Sequence, residues 1–164
     1  KHVIDGVRAA IDYAKANGKV GRVYVVGGSG GAYTGMCAAR SGVEADGWHL
    51  WSGVYDLVQW YGEIGKDKAQ DIRQCTSSKG VLNVTEARKR SPIYMTGQPK
   101  APVLLYAGTN DKIVPPSHSR RMAEALTPRP RLTIFEGGHE VRTKVIISDI
   151  EGFEKGHLAT VGHR

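Results

Sequence analysis

Three side chains have the types that acyl transfer needs, and each stands at a break between one regular segment and the next. Ser29 is the centre of Gly27-Gly28-Ser29-Gly30-Gly31, entered by the apolar run Val23-Tyr24-Val25-Val26 and left by a helix-forming segment. A serine hydroxyl attacks a carbonyl only when a base takes its proton, and the base needs a group that fixes its tautomer. Asp111 follows Pro102-Val103-Leu104-Leu105-Tyr106-Ala107, and His139 follows Arg131-Leu132-Thr133-Ile134-Phe135. Both leave the carboxyl end of an expected strand, where the sites of open parallel sheets gather. In a triad of Ser29, Asp111 and His139, the imidazole would take the serine proton and Asp111 would stabilise the imidazolium. The backbone N–H of Gly30, at a helix N-terminus, would point at the developing oxyanion. Gly27 and Gly31 suit a turn in which a side chain would crowd strand against helix.

The elements that must hold these residues alternate. Residues 2–17 read as an amphipathic helix with Val3, Val7, Ile11 and Ala14 on one face, stopped by Asn17-Gly18. Strands are expected at 21–26, 47–51, 102–107 and 131–135, and helices at 30–40, 117–126 and 143–158, the last carrying Val145, Ile146, Ile150 and Phe153. Residues 56–90 break the alternation as a polar insert with short helices, one of them near Thr85 to Lys89. Strand-helix alternation predicts an α/β domain over residues 1–164, with a parallel sheet of about four strands flanked by helices and right-handed crossovers. The strand from Arg22 to Val26 is nearly all apolar, as a central strand is. Since no strand precedes it here, its edge would be bare, which predicts a homo-oligomer or a missing N-terminal segment. Trp51 and Tyr55 follow the second strand and are candidates to line an acyl pocket.

The chain resembles the C-terminal part of an α/β-hydrolase of the esterase and prolyl-oligopeptidase-like group. The likeness rests on Gly27 to Gly31, Ser52-Gly53-Val54-Tyr55-Asp56-Leu57, Ser91-Pro92, Ala101 to Leu105, Gly108 with Asp111 and Val114-Pro115, Arg121 to Leu126, and Gly138-His139. It runs over residues 1–140. The resemblance implies a nucleophile elbow at Ser29, a Ser-Asp-His triad that hydrolyses esters, amides or peptides, and an insert 56–90 lying over the site as a cap. The family's strands before the elbow, and the early His-Gly-Gly-like loop that supplies a second oxyanion donor, have no match here. Peptidase relatives carry a propeller ahead of the hydrolase domain; without one in this sequence, a small-molecule ester is the expected substrate. The alternatives are a prolyl-oligopeptidase-type peptidase and a non-catalytic remnant.

Other classes fit less well. Gly28-x-Gly30-x-x-Tyr33 lacks the third glycine of a dinucleotide-binding turn, and no Gly-Lys-Ser/Thr marks a P-loop. The net charge of +7 is dispersed over Arg88-Lys89-Arg90, Arg120-Arg121, Arg129 and Arg131 without aromatic interleaving, so no nucleic-acid partner is expected. No apolar run is long enough to span a bilayer, so no membrane partner is expected either. Cys37 and Cys75 are too few for a disulfide framework, and no histidine pair has metal-ligand spacing, so neither metal nor cofactor is expected. His49 reads as structural, His118 as a surface residue at a helix start, and His2, His157 and His163 as solvated. The chain starts at Lys1 without a signal-peptide pattern, as expected of a fragment or of a chain whose leader is gone; a cytoplasmic location is favoured.

Overall fold

Four strands lie side by side in the order in which the chain makes them. They are β1 (Tyr24–Gly28), β2 (Gly47–Trp51), β3 (Val103–Gly108) and β4 (Arg131–Phe135), and every neighbouring pair is parallel. This is seen in a computed structural model of the chain, which describes residues 2–64, 66–77, 80–140 and 142–155. The helices are α1 (His2–Ala16), α2 (Gly30–Arg40), α3 (Leu57–Glu63), α4 (Lys66–Thr76), α5 (Val84–Arg90), α6 (Ser117–Ala125) and α7 (Thr143–Glu154). Residues 156–158 of the expected last helix, together with His157 and His163, lie outside the described residues.

β2 and β3 are buried along their whole length, which is why Leu104 and Leu105 can both be apolar on a strand whose side chains alternate faces. One face of the sheet packs Trp48, Leu50 and Leu105 against Ala32 and Met36 of α2, Met122 and Ala123 of α6, and Ile11 of α1. The other packs Trp51, Leu104 and Tyr106 against Ile146 of α7. Each such apolar side chain stabilises the fold by roughly 1.5–3 kcal/mol.

β1 is, with β4, one of the sheet's two edge strands among the described residues. Its bonds to β2 run through alternate residues: the N–H of Asp46 donates to the Val23 carbonyl at 2.8 Å, and that of Ser29 to the Trp51 carbonyl at 2.8 Å. The backbone groups of Val26, of opposite parity, therefore point to the outer edge. Val26 pairs in register with His49, whose face is the one α7 covers, yet it is 51% exposed. Among the described residues no strand lies beyond β1.

Three helices, where sequence reading named only one, fill the insert between β2 and β3. Asp56 caps α3, accepting the N–H groups of Val58 and Gln59. The insert is tied to both sides of the strand ends. Trp60 Nε1 donates to the Ile113 carbonyl at 2.7 Å, and the Tyr33 hydroxyl of α2 donates to the Arg90 carbonyl at 2.8 Å.

Candidate active site

Ser29 joins β1 to α2 with φ 53° and ψ −118°. For a residue with a Cβ this conformation costs about 1–3 kcal/mol, and it persists only where the surroundings enforce it. The strand and helix backbones approach closely at Gly27, where a Cβ would lie 2.6 Å from the carbonyl carbon and oxygen of Gly31. The sequence-based reason for Gly31 needs correction: a Cβ there would meet nothing within 4 Å. Gly31 matters through its backbone, against which Gly27 lies. Gly30 opens α2, so its N–H has no carbonyl within the helix to bond and is available to an anion.

Asp111 is 4% exposed in the loop after β3. Its Oδ1 accepts the N–H groups of Ile113 and Val114, both at 2.9 Å, and its Oδ2 lies 2.7 Å from His139 Nδ1. Burial would raise the carboxyl. The Val114 amide, the His139 ring, the Ser52 hydroxyl and the Ile113 amide outweigh that and hold it below its ordinary value. Ser52 is a residue that sequence reasoning left without a role. It leaves β2 with φ 44°, and its buried hydroxyl stands beside the Asp111 carboxylate without meeting strict hydrogen-bond geometry. The signal was present in Ser52-Gly53 directly after a strand.

His139 must reach Asp111 from the end of β4. The turn that carries it folds over the end of β3, where a Cβ on Gly108 would run into the carbonyl oxygens of Gly137 and Gly138. Gly137 has φ 152°, and its carbonyl accepts the Asn110 N–H at 2.8 Å. The imidazole–carboxylate pair is thus closed, with the His139 side chain 23% exposed. Among the described hydrogen bonds none joins Ser29 Oγ to the ring; such links are commonly long until substrate is bound.

The other candidates fall elsewhere. Trp51 stacks on Tyr106 at 5.2 Å and leans on Phe135 at 4.6 Å, and Tyr55 is fully buried. Both are core residues, so the expected acyl-pocket role of Trp51 and Tyr55 is corrected: neither offers surface to a ligand. His118 is not on the surface but 1% exposed, with Nε2 3.0 Å from Glu63 Oε2. Burial pushes the Cys37 thiol up to about 11, so it is no nucleophile. Among the described residues, no three His, Cys, Asp or Glu side chains group as a metal site, and no helix is long and apolar enough to cross a membrane.

Known proteins share this fold. A Mycobacterium tuberculosis puromycin-hydrolyzing peptidase superposes with a TM-score of 0.77 at 23% identity, over 99% of this chain and 26% of that one. An acetyl xylan esterase from Paenibacillus sp. R4 superposes with a TM-score of 0.72 at 16% identity, over 92% and 51%. Both likenesses are of fold, that of the α/β-hydrolases. The uncharacterized peptidase YtmA of Bacillus subtilis (strain 168) is 32% identical over 117 residues, so this chain spans 43% of that relative's length and the match 67% of its own. With residues 1–146 matching its sequence pattern, the chain belongs to the prolyl oligopeptidase family.

Proposed function

We propose that the chain carries the nucleophile, base and orienting acid of a serine hydrolase that cleaves peptide or amide bonds through an acyl-enzyme. The observation that carries this reading is the 2.7 Å bond between His139 Nδ1 and Asp111 Oδ2, made at the same end of the sheet as the strained Ser29 turn. That bond occupies Nδ1 with the ring proton, leaving Nε2 to accept the proton of Ser29 as its hydroxyl attacks. The Gly30 N–H receives the oxyanion. His139 then protonates the leaving amine, and water, deprotonated by the same nitrogen, releases the acyl group. Membership of the prolyl oligopeptidase family supports reading peptides, rather than the esters that the sequence alone suggested, as the substrate. Trp60 of α3 bonds the Ile113 carbonyl and the Arg90 carbonyl of α5 accepts from Tyr33, four residues after Ser29; these ties support a role for the insert in limiting what reaches Ser29.

The test is hydrolysis of a peptidyl anilide and of the ester with the same acyl group. Both should be cleaved, the ester with a burst, and Ser29→Ala should lower both rates by on the order of 10⁴-fold or more. Undiminished hydrolysis by Ser29→Ala would overturn the reading, and cleavage of the ester with no anilide turnover would restore the esterase reading.

A further inference from the structure

His139 is preceded by two glycines and followed by Glu140, so its own turn has little intrinsic stiffness. The turn is nevertheless clamped from beneath. Glu140 Oε2 accepts the N–H of Gly138 at 2.8 Å. Arg142 donates to the Glu136 carbonyl, and its Nη2 lies 3.6 Å from Glu140 Oε1. The guanidinium also sits 4.5 Å over the Phe135 ring, and Phe135 rests on Trp51 in the second core. The glycines make the clamp possible: a Cβ on Gly137 would come within 3.0 Å of both Arg142 and Phe135. The carboxyl of Glu140 is held below its ordinary value, first by its own backbone amide and then by the Gly138 amide and Arg142.

We infer that Glu140 and Arg142 are positioning residues for His139, closing the Gly137-Gly138 turn against the Phe135–Trp51 stack so that the imidazole stays on Asp111. The inference rests on the hydrolase reading above for its kinetic consequence, but not for its structural one. Neither side chain is core, being 53% and 45% exposed, so loss of either should leave the fold standing. With the clamp gone, two glycines let the ring wander, and displacement of a catalytic group by about 1 Å costs on the order of 100-fold in rate.

The experiment compares Glu140→Ala, Arg142→Ala and Glu140→Gln with the wild type by two readouts. One is the low-field imidazole N–H resonance of the His139–Asp111 bond; the other is kcat and KM on the better of the two substrates above. We expect both alanine variants to broaden or lose the resonance and to lower kcat about 10- to 100-fold with KM nearly unchanged, at an unchanged melting temperature. Glu140→Gln, whose amide oxygen still accepts the Gly138 N–H, should recover most of both. Alanine variants with the wild-type resonance would overturn the inference, as would Glu140→Gln behaving like Glu140→Ala. If the resonance behaves as expected while the wild type turns over no substrate, the positioning role stands and the hydrolase reading fails.

Discussion

Among the described residues two histidines pair with a carboxylate, and the two pairs differ in what surrounds them. His139 and Asp111 are 2.7 Å apart, His118 and Glu63 3.0 Å apart, so distance alone does not separate them. Their remaining contacts do. His118 Nδ1 accepts the Tyr55 N–H at 3.4 Å, which leaves Nε2 to donate to Glu63. Both ring nitrogens are then committed, and the side chain is 0% exposed. Among the described hydrogen bonds His139 commits Nδ1 alone, and it keeps 23% of its side chain exposed, at the same end of the sheet as the strained Ser29 turn. A histidine paired with an acid can act as a base only where its second nitrogen is left uncommitted; His118, with both nitrogens engaged, staples α6 to the insert.

The largest effect that could break this contrast comes from the acids and rings themselves. Asp111→Asn should lower kcat on the order of 10⁴-fold by favouring the wrong tautomer of His139. His118→Ala should leave kcat per folded molecule unchanged and lower unfolding free energy by about 1–3 kcal/mol, because it strips two hydrogen bonds from a buried site. Kinetics and denaturant unfolding on the two variants check both, and a kcat loss in His118→Ala comparable to that of Asp111→Asn would erase the distinction.

His49 sharpens the contrast from a third position. It is fully buried, with Nδ1 2.9 Å from the Tyr106 hydroxyl, which in turn donates to Asp149 at 2.8 Å. Burial lowers its pKa to about 4, against the opposing pull of Asp149 and with the help of Arg131. The sign follows from linkage. Below pH 6.5 the unfolded chain takes up a proton that the native state refuses, so stability falls with pH until about 4 is reached. The span corresponds to a loss of ~3 kcal/mol. Denaturation at pH 7 and pH 4.5 should show a smaller difference in His49→Phe than in the wild type; equal differences would contradict the assignment.

The smallest effects test the Ser29 turn. Gly27→Ala should destabilise by about 1–3 kcal/mol through its contact with the Gly31 carbonyl. Gly31→Ala, facing open space on a helix, should change stability by no more than about 1 kcal/mol, in the stabilising direction. Melting temperatures of the pair decide it, and equal losses would show that the turn is not held at Gly27.

The frame of the site was readable because its signals are local. Arg131 to Phe135 and Gly30 to Arg40 fall on the expected residues, and Asp111 and His139 stand one short loop beyond a strand end. The insert was not readable in the same way. Its helix α3 is only seven residues long, too short for the spacing of Leu57, Trp60 and Tyr61 to tell a helix from a loop, although Asp56 marks its start. Trp51 and Tyr55 were misread because position at a strand's end does not reveal which way a large ring turns, and here the second core claims one and the first core the other. His118 was misread because the partner that draws it inward, Glu63, is contributed by the insert.

Reaction with a fluorophosphonate, followed by intact mass and peptide mapping, asks whether Ser29 is the nucleophile. One adduct is expected, on the peptide that carries Ser29, formed at the same rate in His118→Ala as in the wild type, far more slowly in Asp111→Asn, and absent in Ser29→Ala. An adduct on any other peptide, or labelling slowed as much by the loss of His118 as by the change at Asp111, would contradict this expectation.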